Sequence, residues 1–175
     1  MPLTSRIATP ADIPALTELM EAAIAGLLRD LLSEAEVAAS RSLMGVDTQL
    51  IADGTYFVVE DGGRIAGCGG WSRRATAYGG DHSPGRDETR LDPAVNAARV
   101  RAMYTHPDFT RRGVGRLVLA LCEAAAREEG FRRVELVATV AGEPLYAACG
   151  YDVLERFADD RGGVPVPLAR MAKDI

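Results

Sequence analysis

The twenty residues from Ala98 to Leu117 constrain this chain more than any other stretch. They read as a strand, Ala98 to Thr105, closed by His106-Pro107. A short loop with Arg111 and Arg112 follows, and then two glycines, Gly113 and Gly115, open a helix that runs to Glu129 and stops at Gly130. Leu117, Val118, Leu121 and Ala125 recur at helical spacing, so one face of that helix is buried. Strand, glycine-bearing loop and helix N-terminus together make a site for an anion. The first-turn amides have no intrahelical partner, the positive end of the helix dipole faces the ligand, and glycine lets the backbone come close. Arg111, Arg112 and Arg116 add charged donors, although a helix opening cannot aim all three at one ligand. The same letters also fit a tight turn before a solvated helix with surface arginines.

Spacing removes two classes of anion binder. A nucleotide-triphosphate loop needs a lysine and a hydroxyl residue after its last glycine, and none follows Gly115; a dinucleotide fingerprint needs a third glycine where Val118 stands. Charge narrows the field further, because 20 basic against 25 acidic residues leave a net charge of -5, which repels polyphosphate except at a local patch. No nucleic-acid partner is therefore expected.

With 175 residues at roughly 150 per domain, the chain is expected to be a single domain over 1–175. Its 47% hydrophobic and 26% charged content is that of an ordinary globular protein. Cys68, Cys122 and Cys149 are odd in number and lie in apolar stretches without CxxC spacing, as expected of free thiols in a reducing, cytoplasmic setting. Neither a leader peptide nor a membrane span is expected, since no 18-residue apolar window occurs. No cluster of His, Cys and carboxylates has metal-ligand spacing, so no metal is expected.

Before the anion-loop stretch, Leu3 to Ile7 suits a short strand, and Thr9-Pro10-Ala11-Asp12 heads a helix whose buried stripe is Ile13, Leu16, Leu19, Met20, Ala23, Ile24 and Leu27. Ser33 and Glu36 form a capping box for a second short helix reaching about Ser42. Thr55 to Glu60 and Arg64 to Trp71 make a hairpin around Asp61-Gly62-Gly63. From 73 to 95 the chain loses periodicity, and this long loop reads as a lid or substrate loop in which a packed element is not expected. After the anion-loop helix come a strand at Val134 to Thr139, a short helix at Pro144 to Cys149 ended by Gly150, and strands at Tyr151 to Phe157 and Pro167 to Ala172. The order argues for an α/β (α+β) domain with a mixed, mostly antiparallel central sheet flanked by helices, not a doubly wound nucleotide fold.

The strand Val100 to Thr105, the loop Thr110-Arg111-Arg112-Gly113-Val114-Gly115 and the later Leu145-Tyr146-Ala147-Ala148-Cys149-Gly150-Tyr151 together resemble the acetyl-CoA-binding core of the Gcn5-related N-acetyltransferase (GNAT) superfamily. Thr110 departs from the Gln or Arg that the family carries at the head of the loop, the two glycines match, and Leu145 and Tyr151 stand for phenylalanines. The resemblance implies the acyl-CoA N-acyltransferase fold with acetyl-CoA as cosubstrate. It implies that the backbone of Met103, Tyr104 and Thr105 pairs with the pantetheine arm and that the amides of Arg111, Arg112, Gly113, Val114, Gly115 and Arg116 hold the pyrophosphate. It implies a tyrosine, here Tyr146, as the general acid at the cofactor sulfur.

On this reading the protein is expected to transfer acetyl from acetyl-CoA to a primary amine of a small-molecule or peptide acceptor, by direct attack in a ternary complex. The alternative is a non-catalytic acyl-CoA sensor on the same fold. A homodimer is a habit of the fold rather than something read from these residues. No residue stands out as the base: His82 lies in the long loop and His106 at the strand end, and a lone histidine is more often structural. Cys149 has no positioned His or Asn partner to make it a nucleophile. Trp71, Arg73, Tyr78, Asp81 and His82 are expected around the acceptor.

Overall fold

The computed structural model describes residues 2–175. Seven strands form one sheet in the order β1-β2-β3-β4-β5-β7-β6. They span Thr4–Ile7 (β1), Tyr56–Asp61 (β2), Arg64–Ser72 (β3), Ala98–Thr105 (β4), Arg133–Thr139 (β5), Asp152–Asp159 (β6) and Val166–Asp174 (β7). All neighbours are antiparallel except β4 and β5. Among the described residues five α-helices accompany them: Ile13–Leu27 (α1), Glu34–Ser40 (α2), Thr48–Ala52 (α3), Val114–Glu128 (α4) and Glu143–Ala148 (α5). No helix among the described residues is long and apolar enough to cross a membrane.

The local signals explain most of these elements. The capping box at α2 forms, with Ser33 Oγ accepting the Glu36 amide at 3.2 Å and Glu36 Oε2 accepting the Ser33 amide at 2.7 Å. Thr9 and Pro10 open a single 3-10 turn that runs straight into α1. Helix α3 has no such local signal, because its cap arrives from elsewhere: Asp81 accepts the Thr48 amide at 2.9 Å and the Thr48 hydroxyl at 2.8 Å.

Each face of the sheet carries a core. On one, α4 buries Val118, Leu119, Cys122 and Ala126 over Val59, Ala66, Val100 and the Trp71–Phe131 pair; on the other, α1 buries Leu16, Leu19, Met20 and Ile24 over Tyr56, Val58, Cys68 and Tyr104. These two apolar stripes hold the sheet between helices, each fully buried large side chain contributing about 1.5–3 kcal/mol.

Two irregularities in β4 position the site. The parallel pairing of β4 with β5 is confined to Ala98↔Val134 and Arg99↔Glu135, after which the strands part. Opposite β3 the register slips between Cys68↔Tyr104 and Gly70↔Arg101, an extra residue on β4 where Ala102 takes φ +53°. The bulge inverts the alternation of the strand: Ala98 and Val100 join the α4 core, whereas Ala102 and Tyr104 join the α1 core. Tyr56 pins it by donating its hydroxyl to the Ala102 carbonyl at 2.7 Å.

The segment 73–95 differs from its sequence reading. It contains no helix, but it folds back on itself through Ala75 N–H to the Thr89 carbonyl (2.9 Å), Thr76 N–H to the Asp87 carbonyl (2.8 Å) and Leu91 N–H to the Arg73 carbonyl (2.7 Å). Thr76 and Ser83 are buried. Ser83 donates to the Ser42 carbonyl at 2.7 Å, His82 Nε2–H to the Arg41 carbonyl at 2.7 Å, and Tyr78 to Asp159 at 2.6 Å. Polar side chains that satisfy backbone groups of other segments thus supply the order that a hydrophobic period would have announced.

Candidate active site

Where β4 and β5 part, a cavity of about 770 Å³ opens through the sheet. The residues from Val100 to Thr105 line it, with the loop before α4 and the head of α5 on one side and the end of α1, Leu43, Met44 and residues 77–79 on the other.

Around the α4 N-terminus the backbone does the work. Gly113 is the N-cap residue at φ +84°, and a Cβ there would meet nothing within 4 Å, so the requirement is conformational rather than steric. Gly115 is the reverse case: its Cβ would stand 2.7 Å from Leu145 Cδ2, so the missing side chain lets α4 close on α5. Arg111 is held at φ +63°, which costs a non-glycine residue about 1–2 kcal/mol and marks the turn that faces the loop outward. Within α4 the Leu117 amide is the first to find an acceptor, the Gly113 carbonyl at 3.0 Å; the amides of Val114, Gly115 and Arg116 precede it and are free for an anion.

Met103, Tyr104, Thr105, Arg111, Gly113, Val114, Gly115, Arg116 and Tyr146 all line the cavity. Arg112 does not: its guanidinium turns back to Asp61 at 2.5 Å and lies over the Phe109 ring, 5.5 Å from the centroid. Thr110, which lacks a long polar side chain, closes the preceding turn by donating to the Pro107 carbonyl at 3.1 Å. Tyr104 sends its side chain into the α1 core, where its hydroxyl accepts the Gly45 amide at 2.9 Å. Tyr146 is 8% exposed, and its hydroxyl reaches Met103 Sδ at 3.7 Å. Burial holds the Tyr146 phenol well above its ordinary pKa, so it stays protonated across the physiological range.

The remaining sequence candidates divide. Tyr78 lines the cavity. His82, Asp81 and His106 do not: the first two tie down residues 41 and 48, and His106 Nδ1 accepts the Asp108 amide at 3.1 Å. Trp71 is core against Phe131, and Arg73 lies over Trp71 in an ion pair with Glu129. Cys149 lies outside the cavity lining, and burial pushes the Cys68 thiol up to about 12, which makes it inert. The cavity lining contains no carboxylate and no imidazole.

Sequence reasoning missed the buried cluster of Arg101, Asp47 and Arg86. Arg86 reaches Asp47 with both terminal nitrogens at 3.0 and 3.2 Å, and Arg101 approaches the same carboxylate at 3.2 Å. An arginine alternating with Val100 in a strand reads as solvent-facing; the one available signal was the expectation of a sheet flanked by helices, which covers both faces of its inner strands.

No curated protein matches the sequence. Among solved structures, a GCN5-related N-acetyltransferase from Rhodopseudomonas palustris superposes with a TM-score of 0.73 at 19% identity, over 100% of this chain and 97% of that one. The PaiA N-acetyltransferase of Thermoplasma acidophilum, solved with coenzyme A, gives 0.64 at 14% identity over the whole of both chains. YncA of Salmonella typhimurium, solved with its cofactor acetyl-CoA, gives 0.64 at 18% identity over 98% and 93%. These likenesses carry the fold. The family model for the acetyltransferase (GNAT) family matches residues 20–151, and with the sheet and cavity described above it establishes that the chain belongs to the GNAT acetyltransferases.

Proposed function

We propose that the protein transfers acetyl from acetyl-CoA to a primary amine by direct attack in a ternary complex. The observation that carries this reading is the joining, in one cavity, of an unpaired β4 edge, a helix N-terminus with free amides, and a protonated tyrosine. An extended amide-bearing arm can pair with the backbone of Met103, Tyr104 and Thr105 as an added strand, and the amides from Arg111 to Arg116 can take the pyrophosphate. Acetyl-CoA supplies the activated thioester carbonyl. The bulge at Ala102 turns β4 backbone into the cavity, where an N–H can stabilise the oxyanion that amine attack creates.

With acetyl-CoA along β4, Tyr146, whose hydroxyl lies 3.7 Å from Met103 Sδ in the cavity lining, would offer its O–H to the departing sulfur. Full transfer from a phenol raised by burial to a thiolate whose conjugate acid lies near 8.5 runs uphill, so its main contribution is a hydrogen bond to the developing charge. With no carboxylate or imidazole in the lining, the acceptor amine enters neutral or loses its proton through water. The buried thiols Cys68 and Cys122 support a reducing, cytoplasmic setting.

A panel of amines assayed for release of coenzyme A thiol tests the reading. Turnover is expected with at least one amine, rising tenfold per pH unit below that amine's pKa, and Tyr146→Phe should lower kcat about 10²-fold with little change in acetyl-CoA affinity. Acetyl-CoA that raises Tm while no amine releases thiol would instead mark a binding module.

A further inference from the structure

Arg101 has an unusual position for a charged residue. It lies mid-strand in β4, its side chain is 1% exposed, and it lines the cavity. Its partner in the register is Gly70, whose open face is closed by Tyr56 and Leu50, so the guanidinium lies on the α1–α3 face, across the sheet from α4. That is the side walled by Leu43, Met44, Tyr78 and Gly79.

The hydrogen bonds there are unevenly shared. One carboxylate, Asp47, fully buried, is engaged by both terminal nitrogens of Arg86. Arg101 reaches that carboxylate at 3.2 Å but outside hydrogen-bonding geometry, and its Nε and both Nη atoms have no hydrogen-bond partner. The adjacent Arg74–Asp53 pair is self-contained, with bonds of 2.8 and 3.0 Å. A guanidinium cannot shed its proton, and among the described residues Asp47 is the one carboxylate within 4 Å of Arg101, so a buried donor fork is left without hydrogen-bond partners in a residue that lines the cavity. Buried cations are otherwise found paired.

We infer that Arg101 receives a carboxylate carried by the acceptor, so that the substrate is a small amino acid whose free carboxylate and primary amine are joined by a short spacer. This rests on the amine-acetyltransferase reading above. The spacer is short because Arg101 and Met103 line the same cavity with only the bulged Ala102 between them. The planar fork suits a carboxylate in bidentate contact, and at a peptide N-terminus the α-carboxylate beside the amine is consumed in the peptide bond.

The test compares the common amino acids, with β-alanine and γ-aminobutyrate, against their carboxamides. Each is measured by thiol release with acetyl-CoA and by Tm shift in the presence of coenzyme A, for wild type, Arg101→Gln and Arg101→Lys. The amides are the less basic amines and would react faster on chemistry alone. The expected result is an acid with KM about 10–100-fold below that of its amide, a gap that closes in Arg101→Gln and partly returns in Arg101→Lys, with acetyl-CoA KM unchanged. Equal acids and amides in wild type overturn the proposal without any variant having to fold, as does a gap that survives Arg101→Gln. Thiol release with uncharged amines alone overturns the Arg101 site and leaves the transferase. Acids that raise Tm in wild type but not in Arg101→Gln, with no thiol release, uphold the carboxylate site and overturn acetyl transfer. Silence in both readouts overturns the carboxylate site.

Discussion

The two walls of the cavity are built in opposite ways. The wall beside α4 comes mostly from one local stretch, Met103 to Arg116, with the head of α5 against it, and offers mainly backbone: free amides, a strand edge and two glycines. The wall beside α1 is assembled from four separate segments, and it offers side chains: Leu28 and Leu31, Leu43 and Met44, Tyr78, and Arg101. Backbone recognition leaves a local sequence trace, because only certain residues permit the required φ or approach. Side-chain recognition assembled from afar leaves none, and it is free to vary with the ligand.

The largest blow to this comparison would come from the first wall. In Gly115→Val the side chain would drive into Leu145, and kcat/KM for acetyl-CoA should fall by more than about 10²-fold with loss of the acetyl-CoA-induced Tm shift, while Tm of the ligand-free protein moves far less. An intact ligand shift would show that the pyrophosphate is held elsewhere. On the second wall, Asp47→Asn leaves Arg86 and Arg101 facing each other with no carboxylate. Breaking such a buried pair costs about 3–5 kcal/mol, which lowers Tm by about 6–20 °C at this size, and calorimetry should show it with the acetyl-CoA shift preserved.

The smallest effect concerns acid. Burial pulls the Asp159 carboxyl upward, but hydrogen bonds from Arg161 and Tyr78 outweigh it and bring the pKa from 3.8 to about 2. A carboxylate depressed in the folded state stabilises it above pH 4, and that contribution disappears as pH falls from about 4 to about 2. Pepsin cleavage within residues 77–87 should therefore rise across that window in wild type and be high throughout in Asp159→Asn. A flat, low rate in both would show that Asp159 does not hold this segment in place.

The same contrast explains what was legible beforehand. Both amphipathic helices, the hairpin at Gly62-Gly63 and the α4 loop carry their instructions within a few residues, and they formed where those instructions lie. Helix α3 did not announce itself because its cap, Asp81, is 33 residues away. The segment 73–95 looked unstructured because glycines and polar residues dominate it, yet its hydroxyls, carboxylates and guanidinium groups are what bind it to the Ser42, Asp47 and Asp159 regions. Arg101 was hidden because a charge alternating with buried Val100 reads as solvent-facing, whereas the second face of β4 is covered by the α1 core.

The bond from Tyr78 to Asp159 has a consequence in time as well as in space. It spans 81 residues, and its neighbour from Arg161 to the Pro84 carbonyl spans 77, whereas the α4 loop closes over contacts three or four residues long. Loop closure must be completed before distant contacts add stability, so the wall beside α1 is expected to form late in folding. A chain emerging from the ribosome has the whole of α4, and with it the anion loop, at residue 128, but cannot close the wall held by Tyr78, Asp159 and Arg161 until residue 161 is out.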